Sequence, residues 1–105
     1  MDSDAPIFKG GLGNGFRPHE LLEAALASCI SITIRMIAKE KNIKVERVET
    51  QVEVDKTNSD KTIFNYKITL DDSLNNNDRE FFMNIIDSCA VKQTLTKQLM
   101  FIRHD

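Results

Sequence analysis

The residues with the means for covalent or acid–base chemistry are few: two cysteines, two histidines and the acids at the head of one apolar stretch. Cys29 lies in the middle of RPHELLEAALASCISITIRMIAKE, and Cys89 follows sixty positions later in SCAVKQTL. A thiol in apolar surroundings is ordinarily a small inert hydrophobe, whereas a thiolate beside a positive group or a hydrogen-bond donor is a nucleophile. Cys89 stands at a predicted helix end beside Ser88 and Lys92, where a thiol can be reached. His19 and Glu20 follow Pro18 directly and can position a reactant, while His104, next to the last residue, reads as solvated. No two of these cysteines and histidines have the spacing of CxxC or HxxxH, so the sequence predicts no metal site. The glycine cluster GGLGNG lacks a preceding strand and the GxxxxGK[ST] signature of a phosphate cradle, so no cofactor is predicted either.

Those residues need elements to hold them. Pro18 suits the first turn of a helix, where its missing N–H has no partner to lose. From there to Glu40 no Gly or Pro interrupts, and between Ala24 and Ile34 the polar groups are small hydroxyls and one thiol. A helix apolar on nearly every side is a buried one, wrapped by other elements. Val48, Thr50, Val52 and Val54 alternate with Glu49, Gln51 and Glu53. Phe64, Tyr66, Ile68 and Leu70 alternate likewise, and KTNSDK between the runs is turn chemistry. The two runs predict an antiparallel hairpin. DDSLNNN reads as a loop, with Asn77 or Asp78 as the cap of a helix carrying Phe81, Phe82, Ile85, Ile86 and Cys89 on one stripe. Val91 and Leu95 suggest a further short turn of helix, and Leu99–Arg103 a closing strand. Residues 1–17 read as a flexible arm and 18–105 as one domain. Three strands cannot cover both faces of the long helix, so the apolar surplus predicts a second copy of the chain.

At 105 residues there is room for one hydrophobic core. A formal charge of -2 gives no electrostatic case for nucleic acid or an anionic membrane surface. Glu23 and Arg35 bracket an uncharged run far shorter than the ~18 residues of a membrane span. The N-terminus lacks the pattern of a signal peptide, so a cytoplasmic location is expected. There two cysteines are reduced at rest, and a bond between them is catalytic or redox-sensing.

Taken together, GFRPHELLEAALASC and SCAVKQTL resemble the OsmC/Ohr family, over roughly residues 10–103. That family carries a Pro-acid-acid-Leu-Leu…Ala-Ala-x-x-Cys core helix and a second cysteine in a Cys-Pro-Val-x-x-x-Leu context. The resemblance implies an α+β fold, with a long core helix wrapped by antiparallel sheet in an intertwined homodimer. It also implies thiol-dependent reduction of organic hydroperoxides, with Cys29 as the peroxidatic residue, Cys89 as the resolving one and an external dithiol as reductant.

The chain departs from the family at three places. The glutamate that family enzymes place after the proline is His19 here, with Glu20 one position later. At ~100° per residue Glu20 falls half a turn from Cys29, and His19 falls nearer the Cys29 side. The family's activating arginine comes from an earlier strand, and Arg17 and Arg35 are the substitutes this chain offers. Ala90 stands where the family has a proline after the second cysteine. Two other readings therefore stay open: a non-enzymatic dimer binding a small apolar ligand or a partner at its interface, and a structural dimer with inert thiols.

Overall fold

The computed structural model describes residues 17–105. The predicted arm over residues 1–17 and the glycine cluster therefore lie outside the described residues, apart from Arg17. The elements run α1 (Pro18–Glu40), β1 (Val48–Asp55), β2 (Ile63–Leu70), α2 (Asn76–Ile85), a 3-10 turn (Ile86–Ser88) and α3 (Ala90–Thr96). This is the expected α+β order.

α1 begins as its sequence dictates. Arg17 caps it in an extended conformation, Pro18 takes the first helical position, and Arg17 N–H donates to Glu20 Oε1 at 2.8 Å. Its last helical residue is Glu40, and the chain turns away at Asn42, whose φ of 56° is left-handed. There Ile43 N–H reaches Ala38 O (2.9 Å) and Asn42 N–H reaches Lys39 O (3.3 Å), the double bond of a Schellman stop. Asn tolerates this backbone conformation better than most residues, which is why the break falls there.

β1 and β2 pair antiparallel, with Val48 opposite Leu70, Thr50 opposite Ile68, Val52 opposite Tyr66 and Val54 opposite Phe64. These residues share one face, and α1 packs across it. Two polar contacts tie helix to sheet: Ser31 Oγ to Thr50 Oγ1 at 2.9 Å, and Val54 N–H to Glu23 Oε2 at 2.7 Å. α2 starts slightly earlier than expected, because Asn75 is the cap and accepts Asp78 N–H at 2.8 Å. The helix expected to run to Cys89 tightens into the 3-10 turn at Ile86, and Cys89 then hinges into α3.

Leu26, Ile30, Ile34 and Ala38, one every fourth residue, line the buried stripe of α1. They meet Leu70 from the sheet with Phe82, Ile86 and Cys89 from the second half. Burying a side chain such as Phe82 or Ile30 contributes ~1.5–3 kcal/mol, so this cluster is the main source of stability. α1 is long and apolar enough to cross a membrane by length and composition, but here it serves as the core helix.

Within the single chain α1 stays open along one stripe, where Leu22, Ile32 and Met36 stand exposed, as the apolar surplus in the sequence leads one to expect. One expectation needs correction. Leu99–Arg103 is not a strand but irregular and exposed, with Phe101 94% accessible. Among the described residues the sheet has two strands, and no third strand or second layer covers either segment.

Candidate active site

Cys29 and Cys89 come together where α1 passes the hinge between the 3-10 turn and α3. Cys89 is fully buried in the core, Cys29 is half-buried against it, and both are free thiols. The hinge arises because the 3-10 turn closes with Cys89 N–H on Ile86 O at 2.9 Å. Cys89 then turns extended (φ -57°, ψ 127°) before α3 begins.

The two thiols are pushed in opposite directions. Burial raises the Cys29 thiol, as it does any group that must carry a charge in a poor solvent. Hydrogen bonds to its sulfur from the Cys89 thiol, from the Val91 and Ala90 N–H groups and from the Thr33 hydroxyl outweigh burial, so Cys29 ionises below its ordinary value. Thr33 helps least, since its hydroxyl already donates to Cys29 O at 2.8 Å. Burial also raises Cys89, and there the neighbouring Cys29 adds to the rise. One thiol is thus favoured as the anion and the other as its proton-bearing donor.

The remaining candidates take other places. Glu20 is exposed at the head of α1, where its carboxylate accepts the capping bond from Arg17. His19 lies on the wall of a cavity of about 580 Å³ that also includes Leu22, Leu26, Phe64, Tyr66 and Lys92. Neither thiol lines this cavity; the wall residues nearest to them in sequence are Leu26, three before Cys29, and Lys92, three after Cys89. Arg17 sits at the α1 cap, and Arg35 acts on Asp71, helping to hold that carboxyl below its usual range behind the larger effect of Glu46 N–H. None of the groups that move the Cys29 thiol is an arginine. Among the described residues no cluster of three or more His, Cys, Asp or Glu side chains is placed to hold a metal ion.

Reading the sequence missed the donors at the start of α3 and the role of Lys92. The Lys92 ammonium pairs with Asp87 and lies 5.5 Å over the Tyr66 ring, fixing α3 against the sheet. Its spacing three residues past Cys89 was the available signal.

The family model described as OsmC-like protein matches residues 11–102. The chain belongs to the OsmC-like family. Solved structures agree with this assignment. One is a protein of Psychrobacter arcticus described as an osmotic stress induced and detoxification response protein. It is 29% identical over 88% of this chain and 69% of its own, with a TM-score of 0.69. An organic hydroperoxide resistance protein OsmC of Legionella pneumophila is 23% identical over 91% of this chain and 73% of its own, at 0.65. The organic hydroperoxide resistance protein of Bacillus subtilis is 23% identical over 79% and 64%, at 0.59. At those identities the last two speak for the OsmC-like fold alone. No curated protein matches the chain.

Proposed function

We propose that this OsmC-like protein reduces organic hydroperoxides through Cys29 and Cys89. The observation that carries the reading is the thiol pair itself: Cys29 lowered toward the thiolate and Cys89 held as a thiol that donates to it. The Cys29 thiolate attacks the terminal peroxide oxygen. The S–O bond forms as the O–O bond breaks, leaving a sulfenic acid and an alkoxide that takes up a proton to become the alcohol. Cys89 sulfur then attacks the sulfenic sulfur, which forms the disulfide and releases water. A dithiol regenerates both thiols by exchange and leaves as its own disulfide. The cavity that Leu26 and Lys92 help to line suits the hydrocarbon part of the peroxide, its walls being mainly Leu, Phe and Tyr. A reducing cytoplasm supplies the setting in which the resting pair stays as free thiols.

A homodimer belongs to the same proposal. Leu22, Ile32 and Met36 on α1 and Leu99–Ile102 at the C-terminus leave apolar surface that a second copy would cover. The same cavity also suits a second reading, a dimer that binds an apolar ligand without turnover.

The test is consumption of cumene hydroperoxide with dithiothreitol as reductant. Cys29→Ser should abolish turnover, and Cys89→Ser should permit one oxidation, trapped as a sulfenic acid. Full activity in Cys29→Ser would refute the assignment. Ligand binding without any peroxide consumption by the wild type would favour the second reading.

A further inference from the structure

The cavity of about 580 Å³ has two kinds of wall. One is fixed: Leu22 and Leu26 are carried by α1, and Phe64 and Tyr66 by β2. Leu26 is buried in the core, and the Lys92 ammonium lies 5.5 Å over the Tyr66 ring. The other wall is Leu99 and Phe101, from the segment that leaves α3 at Lys97 in an extended conformation (φ -81°, ψ 162°). Lys97 N–H reaches Thr94 O at 3.4 Å, and beyond it no main-chain hydrogen bond ties the segment to the rest of the described residues. Leu99 and Phe101 are alternate residues, and Met100 and Ile102 are not on the wall. Successive side chains of an extended chain point to opposite sides, so one side of the segment serves the cavity and the other is left for a second copy.

Phe101 lines this cavity, yet 94% of its surface is open to water. A ring so placed has its gain from burial still to make, and a molecule filling the cavity supplies the missing contact. We propose that Phe101, with Leu99 beside it, is the specificity-determining wall of the cavity: it closes onto the apolar body of a bound molecule and sets how tightly a bulky one is held. The volume is that of a small-molecule site, ~300–1,000 Å³, and apart from His19, Lys92 and hydroxyl groups the walls are apolar. The occupant is therefore a small molecule with a compact hydrocarbon body. The inference rests on the reading above, in which this cavity takes the hydrocarbon part of a hydroperoxide.

The chain has no tryptophan, so Phe101→Trp places a single indole on the segment. Because residue 101 is exposed, neither this change nor Phe101→Ala should disturb the core. The probe is 2-phenyl-2-propanol, the alcohol that cumene hydroperoxide yields on reduction, which has no O–O bond for a thiol to break. Titrating it should shift the indole emission to shorter wavelength and reduce its quenching by acrylamide. Unchanged emission and quenching at saturation, with binding followed by calorimetry, would overturn the proposal, as would a failure of the wild type to bind the probe. An indole shielded before any probe is added, and freed on dilution, would mean that a second copy covers the ring and would overturn it too.

Phe101→Ala should weaken binding of the probe about tenfold, and Phe101→Leu, which keeps an apolar wall, about threefold. Equal affinities in the three chains would overturn the assignment. With cumene hydroperoxide Phe101→Ala should raise KM by about the same tenfold at constant kcat, and with the smaller tert-butyl hydroperoxide by about twofold. The binding readouts use no peroxide. An indole response without peroxide consumption would remove the peroxidase reading and leave Phe101 as the wall of a binding site. Consumption without an indole response or a loss of affinity would do the reverse.

Discussion

The two long faces of α1 are alike in composition and opposite in fate. Leu26, Ile30, Ile34 and Ala38 are buried under the sheet and the second half of the chain. Leu22, Ile32 and Met36 are equally apolar, yet 43%, 55% and 61% accessible. Hydropathy records only that a residue would gain by leaving water. Which residues do leave is decided by where the single sheet can reach. At ~100° per residue Cys29 falls between Leu22 and Met36, within the open stripe, and is half-buried because the Cys89 hinge and α3 cover it. Cys29 therefore lies on the side of α1 that the rest of the described chain covers least.

The strongest way to separate the faces is a buried charge. Ile30→Asp places a carboxylate in a fully closed position with no partner and should cost about 4 kcal/mol or more, enough to unfold a domain of this size. Circular dichroism and a urea titration would show the loss of the native transition. The matching change on the open face, Ile32→Asp with Met36→Glu, should leave the fold intact but give a monomer by sedimentation velocity. Unfolding of the double variant would mean that the open stripe is needed for the single chain as well. A monomeric wild type at micromolar concentration would remove the need for a second copy.

The difference between the faces also marks what could be read in the sequence. The limits of α1 and the hairpin were legible because Pro18 and a two-residue period are local signals. The pairing of Cys29 with Cys89 was legible only through family resemblance, since no spacing rule brings together residues sixty positions apart. The strand expected at Leu99–Arg103 failed because β propensity needs an edge to pair with, and that is not written in the segment itself. Glu20 stood beside the expected position of an activating acid and took the capping role that three-residue spacing from Arg17 gives it. The amide donors at Ala90 and Val91 left no signature in side-chain chemistry at all.

Within the thiol pair the comparison sharpens to single donors. Cys89→Ala removes the donor that does most to lower the Cys29 thiol, so the pH of half-maximal alkylation should rise by about one unit. Deprotonation creates the nucleophile, so the rate climbs with pH in every variant and only the midpoint moves. Cys89→Ser keeps a donor and should shift it less. In the wild type the midpoint should lie below the ordinary value of a free thiol. A midpoint at or above that ordinary value would mean that burial prevails over the hydrogen bonds.

The smallest effect is expected at His19. Its place after Pro18 made it a candidate for tuning Cys29, but the groups acting on that sulfur come from Cys89, from the opening amides of α3 and from Thr33. His19 instead forms part of the wall of the apolar cavity, among Leu22, Leu26 and Phe64. A group in that position acts on what enters, not on the thiol beyond it. His19→Gln should therefore leave the alkylation midpoint of Cys29 where it is. It should raise KM for a bulky hydroperoxide by about twofold to threefold, the effect of losing part of one contact in a binding wall. On the proposed peroxidase reading kcat should hold, because the groups acting on the Cys29 sulfur do not include His19. A shift in the alkylation midpoint with KM unchanged would reverse this assignment and make the imidazole part of the apparatus that prepares the thiolate.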